Sequence, residues 1–211
     1  MNWLARLLAH QGPKLNAAQQ DKIAAISALP APDLGLAHYE TRYVAVNVEA
    51  SATEGGNPQL LGFGAVAINR GLITPDDVFQ TSTGAEPANA LISLLKFIAH
   101  APVVVFNAPF NQGLLERAFE QELGNRLELE WLDLMVLMPT LCPERIEGQA
   151  RMDAWLGAFG IERLDIRNPL LEALAVAQLH QVAIARANGQ GMPTPRDLLE
   201  TQNSRKWLRG S

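Results

Sequence analysis

Residues 42–80 constrain the fold of this 211-residue chain more than any other stretch, because they read as strand, strand, strand with no room for a helix between them. Tyr43, Val44, Val46 and Val48 make a β-rich run, residues 60–69 make a second, and residues 72–80 a third. The turn residues Asn69-Arg70-Gly71 separate the last two. Strands joined by such short links pair antiparallel, so the sheet should open as a meander.

The periodicity then changes. Ala90, Leu91, Leu94, Leu95 and Ile98 have helical spacing within residues 87–100, and Pro102 leads into a short apolar run, Val103-Val104-Val105-Phe106. A helix over 109–123 should stop at Gly124. The remainder reads as helical, over 132–141, over 149–159 with Gly160 as its stop, and over 169–188. Strands followed by alternating helix and strand predict an α/β domain, a mixed sheet with helices on both faces.

Ahead of it, Trp3, Leu4, Leu7 and Leu8 share a helical face, and a second helical stretch over 16–29 ends at Leu29-Pro30-Ala31-Pro32. The expected organisation is a helical extension over 1–40, a main domain over 41–203 and a basic tail over 204–211.

Composition narrows the function. Hydrophobic residues are 48% and charged residues 18%, as in an ordinary globular domain. The net charge of −5 repels a polyanion, so any nucleic-acid binding must come from a local site or a metal. Cys142 is the single cysteine, which excludes an internal disulfide and a thiolate zinc cluster; a buried thiol is expected. Arg6, His10 and Lys14 interrupt the apolar start before a leader or membrane span develops, so a cytoplasmic protein without a membrane anchor is the expectation.

Three segments carry the chemistry. Asn47 and Glu49 fall two apart on the first strand and so share a face. Asn107-Ala108-Pro109-Phe110-Asn111 runs from a strand into the first turn of a helix, and Arg167-Asn168-Pro169-Leu170-Leu171-Glu172-Ala173 opens the long helix. Their order and spacing resemble the DnaQ-like, DEDDh family of 3′–5′ exonucleases. That family has Asp-x-Glu on its first strand, Asn-x-x-Phe-Asp in the middle and His-x-Ala-Leu-x-Asp-Ala on its last long helix. Gly62-Phe63-Gly64-Ala65-Val66 and Trp131-Leu132-Asp133-Leu134 are similar to further family segments. The resemblance implies an RNase H-like fold with a five-stranded mixed sheet, a site at Asn47, Glu49, Asn111, Arg167 and Glu172, Mg²⁺ or Mn²⁺ as cofactor, and the 3′ end of a single-stranded nucleic acid as partner.

The departures fall on the chemistry. Two hard divalent ions ~3.5 to 4 Å apart need anionic oxygen ligands to offset their repulsion. Asn47 and Asn111 put neutral amides where the family has carboxylates; they read as polar groups satisfied by hydrogen bonds in a disused pocket, or as neutral ligands of one ion, and Glu49 and Glu172 are left as the metal-ligating candidates, for one weakly held ion at most. Glu172 is also longer by a methylene than the family's aspartate. Arg167 stands where the family has its histidine base, and a guanidinium cannot accept a proton from water. Arg167 reads either as a contact to a phosphate or 3′ end or, structurally, as a cation paired with Glu49 or Glu172 in place of the lost metal. Of the histidines, His180 lies two helical turns beyond Glu172, too far to replace the base. His10, His38 and His100 read as surface or capping residues, Asp133 and Asp153 as caps or turns, and Trp131, Trp155 and Phe159 as core.

Three functions fit this pattern: an impaired or inactive exonuclease serving as a nucleic-acid or protein interaction module, a live exonuclease with an altered metal site that Asp165 or a partner completes, and a regulatory protein that binds its partner through the N-terminal helices.

Overall fold

The computed structural model describes residues 15–52, 58–124, 128–162 and 168–210. In chain order the elements are α1 (Ala17–Ser27), β1 (Arg42–Ala50), β2 (Leu60–Asn69), β3 (Leu72–Ser82), α2 (Pro87–Ile98), β4 (Val103–Val105), α3 (Ala108–Leu123), β5 (Trp131–Asp133), α4 (Leu134–Leu141), α5 (Met152–Ala158), α6 (Pro169–Gly189) and α7 (Pro195–Gly210). The five strands form one sheet in the order β3-β2-β1-β4-β5. The β1–β2 and β2–β3 pairs are antiparallel, the expected meander, while β1–β4 and β4–β5 are parallel.

Strand alternation divides the core in two. Val44, Val46, Val48, Phe63 and Ala65 face α2 and α3, whose apolar stripes (Leu91, Leu94, Leu95, Leu115, Phe119) close one cluster. Tyr43, Ala45, Val66 and Ile68 face the other way, onto α4, α5 and α6. Helices therefore cover both faces, as the pattern required. From α1, Ile26 is buried in the first cluster and Ile23 packs against it. Asn16 starts α1 with a capping box, its side chain accepting from the Gln19 N–H at 2.9 Å while the Gln19 side chain accepts from the Asn16 N–H at 3.0 Å.

Two elements depart from the sequence reading. Residues 131–133, the last two assigned there to a helix, form β5, too short a run to show its own period. Helix α7 has no counterpart among the expected elements and takes in residues 204–210 of the expected basic tail. Its Gln202 explains both: the side chain accepts from the Asp133 N–H at 2.6 Å and donates to the Trp131 carbonyl at 2.9 Å, supplying the outer edge of β5 with the partners a sixth strand would give. Among the described residues no helix is long and apolar enough to cross a membrane.

Candidate active site

The C-terminal end of β1 holds Asn47 and Glu49 on the face of Tyr43 and Ala45. They stand opposite Gly64 and Gly62 of β2. Both glycines are places of close approach. A Cβ on Gly64 would lie 2.3 Å from the Leu170 nitrogen and 2.4 Å from the Pro169 carbonyl carbon, so the first turn of α6 rests directly on the sheet beside Asn47. A Cβ on Gly62 would lie 2.9 Å from the Thr81 carbonyl oxygen and 3.7 Å from a carboxylate oxygen of Glu49.

Helix α6 is aimed by its own sequence. Pro169 takes the first position, and the Asn168 side-chain oxygen caps the Leu170 and Leu171 N–H groups at 2.8 and 3.3 Å. Glu172 follows in the same turn and is half-buried. Glu49 is exposed. Sequence spacing thus brought Asn47, Glu49 and Glu172 to one end of the sheet. Arg167, its expected pairing with a glutamate, and Asp165 lie outside the described residues.

Asn111, in the first turn of α3, is 4% exposed and fully engaged. Its side-chain oxygen accepts from the Val48 N–H at 3.1 Å, and its side-chain nitrogen donates to the carbonyls of Phe106 at 2.8 Å and Asn107 at 3.4 Å. The parallel ladder explains the arrangement. Val44 N–H bonds the Pro102 carbonyl, and stepping two residues at a time carries the same register to Val48 N–H and Phe106 C=O. The chain leaves β4 after Val105, and the Asn111 amide spans the gap. Only a group that donates at one end and accepts at the other satisfies both partners. Among the described residues Asn47 makes one long contact, from its nitrogen to the Val48 carbonyl at 3.4 Å.

Asp133 anchors the same corner. It is buried, and its carboxylate accepts from the N–H groups of Asn107, Ala108 and Met135, each at 2.9 Å. One side chain thereby caps α4 and holds the start of α3, where Asn107 takes a left-handed conformation with φ 71°. An aspartate just before an apolar helix signalled the cap; the bonds to Asn107 and Ala108, more than twenty residues earlier, had no sequence signal.

Among the described residues, the donors at these positions do not fit a pair of divalent ions. Asn111 spends its amide on the backbone, Asn47 is neutral, and no cluster of three or more His, Cys, Asp or Glu suited to a metal occurs among the described residues.

The histidines correct one expectation. His38 is 1% exposed, a buried bridge whose Nδ1 meets the Tyr43 hydroxyl and whose Nε2 meets the Met192 carbonyl at 3.1 Å. Burial pushes its pKa down, opposed by the Met192 carbonyl and by Asp197. His180 lies in the core with its ring edge-on to Tyr43 at 4.4 Å and neither nitrogen hydrogen-bonded. Burial, and then the charge of His38, lowers its pKa to about 3. Neither ring has a place in the candidate site. His100 is half-buried and His10 lies outside the described residues. Cys142 and Trp155 are buried in the cluster under α4, α5 and α6, where Phe159 also packs, and Trp131 is buried in the opposite cluster, as expected.

No family model matches the chain, and no curated protein matches it in sequence. Solved structures do match in shape. E. coli Exonuclease I in complex with a dT13 oligonucleotide superposes with a TM-score of 0.54 at 13% identity, over 71% of this chain and 42% of that one. Cell-death related nuclease 4 (CRN-4) gives 0.53 at 8% identity, over 68% and 64%. The nuclease domain of 3′hExo, a DEDDh family member bound to rAMP, gives 0.50 at 11% identity, over 75% and 97%. The chain thus spans less than two thirds of the length of the first two. Strand order, the helices on both faces and these likenesses agree: the chain has the RNase H-like fold of the DEDDh exonucleases.

Proposed function

We propose that this domain uses the exonuclease fold as an interaction module, binding the 3′ end of single-stranded nucleic acid without hydrolysing it. The observation that carries the reading is Asn111: its amide completes the sheet between Val48 and Phe106 and leaves no anionic ligand at that position. With Asn47 also neutral, Glu49 and Glu172 are the two carboxylates left at the matching positions, half the charge a pair of divalent ions needs. The ligand class rests on the likeness to nucleases, one of them in complex with an oligonucleotide. Exposed Phe110 and Asn107, beside the site at the start of α3, offer an aromatic face and an amide to an unpaired base.

Purified protein incubated with 3′-labelled single-stranded DNA and RNA, with Mg²⁺ or Mn²⁺, should leave the oligonucleotide intact, while fluorescence anisotropy at low salt reports binding. Degradation that disappears in Glu49→Ala would replace this reading with that of a live nuclease. Absence of both binding and cleavage would favour a partner other than nucleic acid.

A further inference from the structure

Two cavities meet on the α2–α3 face of the sheet, away from the corner just described. The larger, about 690 Å³, has a floor of Leu60, Leu91, Leu114 and Ala118, with Arg117 among the polar residues lining it. The second, about 450 Å³, lies between the start of α1 and the start of α2 and is lined by Leu15, Asn16, Gln19 and Glu86. Both include Pro87, Gln121 and Glu122, so together they form one groove with apolar ground at one end and Leu15 at the other.

We propose that residues 1–14 of the same chain dock in this groove. Three observations select that occupant. Position comes first: Leu15 lines the groove and is the residue to which the segment is joined, so its local concentration is set by a tether of no length. Composition is the second. Trp3, Leu4, Leu7 and Leu8 share one helical face suited to an apolar floor, and a helix over residues 2–11, ended by Gly12-Pro13, would span about 15 Å. Charge is the third. The segment carries Arg6 and Lys14 and no acidic residue, while Glu86 and Glu122 outnumber Arg117 in the groove. That excess of carboxylates opposes a polynucleotide there. The inference is independent of the proposed nucleic-acid function.

The test uses the full chain. In Trp207→Phe, with Trp131 and Trp155 buried, Trp3 is the tryptophan open to question, and acrylamide should quench it several-fold less than in the urea-unfolded chain. Adding Gln121→Lys and Glu122→Lys should restore quenching to the unfolded level, both positions lying on the groove wall outside the core. Leu7→Cys with Gln121→Cys, treated with a bis-maleimide, should crosslink within one chain, because Cys142 is buried and does not compete. Full quenching of Trp3 in the parent chain, or a crosslink that joins two chains instead of closing one, would overturn the proposal.

Discussion

Asn111 is the residue whose identity matters most, since its amide does two opposite jobs: it accepts from Val48 and donates to Phe106. Asn111→Asp keeps the acceptor and turns the donor into a second oxygen facing two carbonyls. We expect a loss of roughly 3 kcal/mol near neutral pH, read from urea unfolding. The introduced carboxyl, once protonated, can donate to Phe106, so its folded pKa lies above its unfolded value. The missing stability therefore returns as pH falls, a signature that simple overpacking lacks. Restoring the family's acid at this position is thus not a matter of charge alone. His180 behaves in the reverse sense. Its folded pKa, about 3, is depressed from the ordinary 6.5. Stability is complete above pH 6.5, and as pH falls towards 3 the unfolded chain takes up a proton that the folded one refuses, at a cost approaching 1.4 kcal/mol per pH unit, or roughly that. His180→Phe, which removes two unsatisfied nitrogens from the core, should flatten that slope, measured as urea midpoint against pH, with little loss at pH 7.

At the scale of elements, the contact that positions the site is backbone on backbone. Helix α6 begins on Gly64, and any side chain there meets Pro169 and Leu170. Gly64→Ala should destabilise by about 3 kcal/mol or more, seen in thermal unfolding, and should shift Glu172 away from β1. Asp133 joins two helix starts, so Asp133→Ala strips acceptors from three N–H groups and should cost roughly 2–4 kcal/mol by the same measurement, more than a single cap is worth. These elements also mark what could be read in advance. The meander was legible because Val44, Val46 and Val48 alternate over a long run, and α6 because Asn168-Pro169 announces a helix start. Residues 131–133 were not, because three residues show no period and their outer edge is completed by Gln202 from α7. The burial of His38 was equally hidden. It depends on Tyr43 and on Met192, the latter more than 150 positions away.

For the molecule as a whole, the fold and the end of the sheet where Asn47, Glu49 and Glu172 gather were legible from order and spacing. That Asn111 is hydrogen-bonded is the sequence expectation, but its partners were not legible, since nothing in a sequence tells that an amide mends the ladder between Val48 and Phe106. Those partners decide between a disused metal site and a rebuilt one. On the function proposed above the site is rebuilt: at this corner Asn111 accepts from Val48 N–H and donates to the Phe106 carbonyl, and Asp133 accepts from the N–H groups of Asn107 and Ala108. The net charge of −5 adds no pull on nucleic acid, so whatever binding occurs must be local and should weaken steeply with salt only if phosphates are contacted. The most direct test counts bound ions. Manganese titrated into the purified protein with a nucleoside monophosphate present, and followed by electron paramagnetic resonance, should yield one weakly bound ion or none. Two ions held together, with the spin coupling of a close pair, would contradict the account.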